Sequence, residues 1–330
     1  MAHPFRHPLA RGAATFVIGI AGVAIACGRA TTEPGTQPGE SKVADVAAQV
    51  AQVAATVTGQ KSPMADAQTD GKHLGFDTHT YPGDKTMQAW KSAPGAPYRW
   101  VGYYLPDAPC HGDASWSGKR QKLVDMGWGL AVVYVGQQTW GRTPRKLSPE
   151  QVARLEKAGK SCNADLITAE RGRIDGDDAI ATTVKEGFPE RSIIFLDIER
   201  MEKMPQAMRD YYNAWTKRLL EHGQYRPGVY VHAHNAQAVY DDVKAAFFAA
   251  GIDEEPRIWV ASGRGWEEGK APQDVGFAFA GVWQGVIDVA RTVADIKLPL
   301  DVNVSSWSSP SDPETPVDLP PIPTIDRVGE

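Results

Sequence analysis

Between residues 74 and 305 the chain alternates short apolar runs with amphipathic stretches, so the hydrophobic period switches repeatedly between two and 3.6 residues. Strands are expected at residues 74–78, 99–105, 130–135, 192–199 and 228–232, and helices at 85–91, 118–126, 177–186, 206–221 and 236–249. The run Leu130-Ala131-Val132-Val133-Tyr134-Val135 is apolar at every position, as a strand covered on both faces must be. Each strand-to-strand step leaves room for a crossover helix, which argues a parallel sheet. After residue 250 the rhythm changes. Residues 257–261, 281–284 and 300–304 read as strands, but the intervals between them are rich in Gly, Pro and Asp. Five βα units and three further strands make eight, enough to close a TIM-type α/β barrel that is (βα)5β3-like, with irregular last three strands. An open doubly wound sheet is the competing arrangement, weakened because no Gly-rich phosphate loop follows the first strand.

The flanks do not share this pattern. Arg6 and Arg11 precede an apolar stretch at residues 13–26 that is too short for a bilayer span and suits the hydrophobic core of a signal peptide. It ends Val23-Ala24-Ile25-Ala26-Cys27, which resembles a bacterial lipobox, with Ala24 where Leu is usual. Residues 1–27 are therefore expected to be a signal peptide, Cys27 the lipidated residue, and the membrane a partner through that lipid. Residues 28–71 are rich in Gly, Thr, Pro, Gln and Ala and read as a flexible tether. Within it Val43, Val46, Val50, Val53 and Val57 form a two-heptad stripe, either a coiled-coil seam or a short marginal helix. Residues 72–307 hold the barrel, and residues 308–330, acidic and with six prolines, read as an extended, disordered tail.

Charge narrows the partners. A net charge of −5 with no long basic run gives no footprint for nucleic acid. Beyond Cys27 only Cys110 and Cys162 remain, and two cysteines in an exported chain are free to pair. No Gly-x-Ser-x-Gly, Walker loop or Cys/His arrangement appears, so acyl and phosphoryl transfer have no support, and no cofactor is called for.

The chemistry-bearing residues lie where barrel strands end. Asp77 follows Gly75-Phe76, Asp197 and Glu199 close Ile193-Ile194-Phe195-Leu196-Asp197-Ile198-Glu199, and Asp301 lies in Leu298-Pro299-Leu300-Asp301-Val302-Asn303. Strand alternation puts Asp197 and Glu199 on one face, with Cα atoms about 6.6 Å apart from two rises of roughly 3.3 Å. If that face is the barrel interior, one of the two is expected to hold a proton near neutrality. An acid beside an ionised carboxylate is what glycosidic cleavage requires. A solvated ion pair between Glu199 and Arg200 is the plainer alternative for this pair alone.

Gly75-Phe76-Asp77, Tyr98-Arg99-Trp100-Val101-Gly102-Tyr103-Tyr104, Gly136-Gln137-Gln138, Asp175-Gly176-Asp177-Asp178, Asp197-Ile198-Glu199, Val282-Trp283-Gln284 and Asp301-Val302-Asn303 occur in one order across the barrel. Together they resemble the glycoside-hydrolase-like family called domain of unknown function 1906, which in turn looks like a relative of the family 25 lysozymes. The resemblance implies that Glu199 is the general acid, that Asp197 positions or stabilises the reacting sugar, and that Asp77 and Asp301 complete an acidic floor. It implies peptidoglycan or a related cell-wall glycan as substrate or ligand.

Tyr81, Trp140, Trp266, Trp283 and Trp307 fall at or beyond the expected strand ends. Tyr81 and Trp283 stand nearest the acids in sequence, which makes them the leading candidates for stacking on a sugar face; core packing is the alternative for each. Gln284, His79 and His232 complete the candidate substrate contacts. A rival enzyme reading uses His232 and His234, on one face of the fifth strand, with Asp77 to hold a metal. A third reading is a glycan-binding barrel without turnover.

Overall fold

The computed structural model of the chain describes residues 71–140, 148–150, 153 and 160–313. The expected signal peptide with Cys27, the tether, the valine stripe and residues 314–330 of the tail lie outside the described residues.

Eight strands close a barrel in sequence order: β1 (His73–Asp77), β2 (Trp100–Tyr104), β3 (Gly129–Tyr134), β4 (Ile193–Ile198), β5 (Arg226–His232), β6 (Ile258–Ala261), β7 (Ala280–Val293) and β8 (Ile296–Ser305). Each neighbouring pair from β1 to β7 is parallel, whereas β8 runs antiparallel to both β7 and β1. Helices α1 (Asp84–Ser92), α2 (Arg120–Asp125), α3 (Ala169–Lys185), α4 (Gln206–His222) and α5 (Ala233–Ala249) follow the first five strands. The TIM-type barrel with irregular last strands expected from the sequence is the fold observed.

Three boundaries differ from expectation, each for a local reason. Helix α3 begins eight residues before residue 177, where the Thr168 side chain accepts from Arg171 N at 3.1 Å as an N-cap. The charged run that opens it hides its period. Strand β7 runs to Val293 and forms a hairpin with β8. Ala294 and Asp295 turn it with φ of 49° and 59°, a geometry usually filled by Asn-Gly, so no turn signal marks it. The segment 308–313, expected as part of a disordered tail, is instead a strap beneath the barrel. Ser309 Oγ accepts from Leu130 N at 3.1 Å, Ser311 Oγ accepts from Val132 N at 2.7 Å, and Ser311 O accepts from Ile193 N at 2.9 Å. A Cβ at Gly129 would sit 1.8 Å from Ser308 O, so only glycine admits this approach.

Strand alternation fills the barrel interior with aromatic rings. Trp259 makes edge-to-face contacts with Trp100, Phe195 and Tyr230 at centroid distances of 5.4, 5.7 and 5.4 Å. Gly75 is required there, because a Cβ would fall inside the Trp100 indole. Outside the barrel, Cys110 and Cys162 form a disulfide that closes a 52-residue separation between the β2–β3 connection and the segment before α3. Loop-closure entropy over that span corresponds to about 4 kcal/mol.

Ser311 offers a direct check on the strap. Ser311→Ala leaves the buried Val132 N–H without its acceptor and is expected to lower the unfolding free energy by about 1–3 kcal/mol in chemical denaturation; an unchanged midpoint would show that this hydroxyl bond adds nothing.

Candidate active site

The barrel mouth holds a hollow of about 100 Å³ lined by Asp77, Tyr104, Val133, Asp197, Glu199, Tyr230, Trp259, Gln284 and Asp301. All four sequence-predicted carboxylates meet there. Asp197 and Glu199 do share the interior face, as period-two alternation requires. Asp301 reaches the mouth because β8 is reversed: it pairs with Asp77 across the antiparallel β1–β8 ladder. Gly102 on β2 makes room, since a Cβ there would lie 2.6 Å from Asp77 Cβ.

Asp77 is 4% exposed and saturated with donors. Tyr104 donates to Oδ2 at 2.7 Å, while Asn303 Nδ2 and Gln284 Nε2 donate to Oδ1 at 2.8 and 3.2 Å. Gln284 Nε2 also donates to Asp301 Oδ2 at 3.0 Å, and Tyr230 fixes the amide by donating to Gln284 Oε1 at 2.6 Å. Asp288 N donates to Asp301 Oδ1 at 2.7 Å, and Trp259 Nε1 donates to Asn303 Oδ1 at 3.1 Å. Tyr104 and Asn303 stood in the motifs quoted from the sequence but, like Tyr230 and Trp259, were not among the candidate site residues. The signal was present: each sits at an alternate position from, or directly across a ladder from, an interior residue.

Among the described residues no Lys or Arg lines the hollow, so no side-chain cation there offsets its carboxylates. Burial raises the Asp77 carboxyl above its ordinary value, against the lowering effect of its three donors. Burial, followed by the charge of Asp77, pushes Asp301 up to about 7, although the Asp288 N–H pulls the other way. Burial thus favours the protonated form of both carboxyls of the β1–β8 pair. The Tyr104 and Tyr230 hydroxyls are raised well above the ordinary phenol value, first by burial and then by the carboxylates, and remain donors at neutral pH.

The remaining candidates lie elsewhere. Trp283 is fully buried on the outer face of β7, donating to Ser262 O at 2.7 Å and packing edge-on against Trp266; it cannot stack on a sugar. Its neighbour Gln284 takes the inner face, so proximity to the acids in sequence placed the indole on the wrong side. Gln284 itself is 2% exposed and ties the acids together. Tyr81 is not among the lining residues; its hydroxyl donates to Asp84 at 2.8 Å and its ring packs against Trp116. Trp307 follows β8, whose end pairs with the start of β1, and so lies at the end of the barrel opposite the mouth. It covers Gly281 and carries the Arg257 guanidinium over its ring.

His79, His232 and His234 are not brought together at the hollow. Strand β5 ends at His232, so alternation no longer governs His234, which stands on α5. His232 Nδ1 caps α5 by accepting from His234 N at 3.1 Å, and His234 Nε2 lies 2.8 Å from Glu202 O. His79 is exposed and packs at 4.1 Å from His111. Among the described residues no group of three His, Cys, Asp or Glu is placed to hold a metal.

An eight-stranded barrel with an acid-lined mouth defines this as a glycoside-hydrolase-like domain. Residues 88–298 match the Rv2525c-like, glycoside hydrolase-like domain, and the chain belongs to that family. The family resemblance read from the sequence is borne out. Asp197, Glu199 and Gln284 fall within the matched residues; Asp77 and Asp301 fall outside them. Among solved structures the chain is similar to an uncharacterized B. stearothermophilus protein, at 20% identity over 71% of this chain and 95% of that one, with a TM-score of 0.46. It is similar to the Mycobacterium tuberculosis Tat-secreted protein Rv2525c in complex with L-tartrate, at 15% identity over 71% and 94%, TM-score 0.41. It is also similar to the Clostridium perfringens spore cortex lytic enzyme SleM, at 12% identity over 74% and 68%, TM-score 0.43. A comparison with curated proteins finds no match.

The raised Asp301 carboxyl sets a sign for stability. Below the unfolded-state value of about 3.9 both states are protonated; between there and about 7 only the folded state keeps its proton, so this group's contribution to stability falls as pH rises through that window. The melting-temperature difference between Asp301→Asn and the native protein should therefore shift in favour of the variant from pH 4.5 to pH 7.5. A difference that is flat across this range would place the Asp301 titration outside it.

Proposed function

We propose that the domain hydrolyses glycosidic bonds in a cell-wall glycan, peptidoglycan or a related polymer, with Glu199 as the general acid. The observation that carries this reading is the convergence of four carboxylates on one small hollow lined by no described cation. Such a site repels phosphates and other anions and favours a neutral polyol in which positive charge develops. Glycosidic cleavage creates that charge. Glu199, partly buried at the outer end of β4, gives its proton to the glycosidic oxygen as the C–O bond breaks. Asp197, on the same face, confronts the oxocarbenium-like carbon, which water then attacks, its proton passing to a carboxylate of the hollow. Asp77 and Asp301 form the floor, their charge lessened by retained protons. His79 and His232 stand outside the hollow and would contact more distant parts of a polymer.

The same reading places the domain in the cell envelope, exported by residues 1–27 and held by a lipid on Cys27 through the tether. The support is the basic start, the short apolar run and the small residues before Cys27. Among the described residues no helix is long and apolar enough to cross a membrane.

Release of reducing ends from purified peptidoglycan tests the chemistry. Glu199→Gln should lower turnover by about 100-fold or more while the melting temperature stays near that of the native protein; undiminished turnover in this variant would remove Glu199 as the acid. Binding of glycan by the native protein with no turnover would replace hydrolysis by recognition. For the anchor, Cys27→Ser should abolish incorporation of radiolabelled palmitate and move the protein from the detergent phase to the aqueous phase; continued labelling would refute lipidation at Cys27.

A further inference from the structure

The β3–β4 ladder stops at the pair Tyr134 and Leu196, one residue short of the carboxylates on β4. Beyond it β3 has ended, at Tyr134, while β4 runs on to Ile198. A parallel neighbour would offer one N–H to the carbonyl of Asp197 and one carbonyl to the N–H of Glu199, the two groups that flank Ile198. The Gln138 carboxamide supplies both. Its Nε2 donates to Asp197 O at 2.8 Å and its Oε1 accepts from Glu199 N at 3.3 Å. These partners leave only one orientation of the amide, since a flip would set donor against donor and acceptor against acceptor.

From this geometry we infer that Gln138 is a positioning residue for Glu199 and Asp197, its side chain standing in for the missing rung of β-sheet. The inference rests on the hydrolytic reading for its kinetic consequence but not for the rung itself. Gln138 is fully buried, so the bonds it makes are shielded from water and cannot be exchanged for solvent. The two bonds hold the backbone that carries the Glu199 carboxyl, and an acid displaced by an ångström is out of reach of its bond.

The support beneath Gln138 is equally specific. Gly136 is obligatory, because a Cβ would lie 2.3 Å from the Tyr211 hydroxyl oxygen and 3.0 Å from Leu196 Cδ1. Gln137 N donates to that hydroxyl oxygen at 3.0 Å, and Tyr211 in turn donates to the buried Asp175 at 2.7 Å. Gln137 repeats the device on the other side. Its Nε2 donates to Ser161 O and its Oε1 accepts from Asn163 N, both at 2.9 Å, straddling the disulfide-bonded Cys162. Two consecutive glutamines thus pin two separate segments to one loop.

Amide hydrogen exchange read residue by residue by NMR on the folded protein tests the rung. In the native protein the Glu199 amide, although it lies past the end of β4, should exchange about as slowly as that of Phe195 within the strand. Gln138→Met, which keeps the volume but removes both bonds, should speed Glu199 exchange about tenfold or more and leave Phe195 unchanged. Gln137→Met should speed Asn163 exchange and not that of Glu199. On peptidoglycan, Gln138→Met should lower kcat roughly 10- to 100-fold with KM within about threefold. Fast Glu199 exchange in the native protein, or protection unaltered by Gln138→Met, would overturn the inference. Should Gln138→Met fail to fold, the native exchange rate and the Gln137→Met contrast still decide it. Absence of turnover in the native protein would sink the hydrolytic reading alone, because the exchange result judges the rung independently.

Discussion

Asp77 and Asp301 face one another across the antiparallel pairing of β1 and β8, in a barrel mouth where no described cation offsets them. Two carboxylates so placed cannot both ionise cheaply, and the surrounding architecture answers that constraint. Tyr104, Asn303 and Gln284 saturate Asp77, Gln284 bridges it to Asp301, and Tyr230 and Trp259 orient the two bridging amides. Every one of these donors is itself buried or partly buried, so the floor is preorganised before any ligand arrives. The aromatic layer of Trp100, Phe195 and Trp259 closes the barrel below and keeps the hollow shallow.

The reversal of β8 is what makes the floor. In an all-parallel barrel the start of the last strand would lie at the closed end; here that segment reaches the mouth and continues into the β7–β8 hairpin. The hairpin is tied to α1, where Trp90 Nε1 donates to Ile296 O at 3.2 Å, and it supplies the Asp288 N–H that meets Asp301. The same reversal carries the chain out at the far end, where the 308–313 segment straps β3 and β4 together. One change of strand direction thus completes the acidic floor and closes the base.

Much of this was legible before the structure. Alternation along Leu196-Asp197-Ile198-Glu199 put both acids on one face, and the fully apolar Leu130–Val135 run and the five strand–helix repeats required a covered parallel sheet. What alternation settles within a strand it settles for neighbours as well: the rule that turns Gln284 inward turns Trp283 outward, and applying it to that pair would have removed Trp283 from the sugar-binding candidates. Other features had no local signal. The Ala294-Asp295 turn lacks the residues its backbone angles favour. The His232–His234 pair was read by strand alternation although the strand expected at residues 228–232 already ended at His232, so the rule did not reach His234. The strap was hidden by composition, since Ser-Ser-Pro-Ser reads as solvated chain until its hydroxyls are seen accepting from barrel amides. Gln138 stood in a quoted motif, but its role was hidden for a deeper reason: a side chain that replaces backbone is defined by where a neighbouring ladder ends.

The central claim is that the barrel mouth keeps a proton on the Asp77–Asp301 pair near neutrality. Carboxyl carbon chemical shifts of the native protein, followed by NMR from pH 3 to pH 9 and assigned with Asp77→Asn and Asp301→Asn, measure this directly. The account predicts that Asp301 titrates with a midpoint near 7 and that Asp77 remains protonated above the ordinary range for aspartate. Complete ionisation of both carboxyls below pH 5 would contradict it.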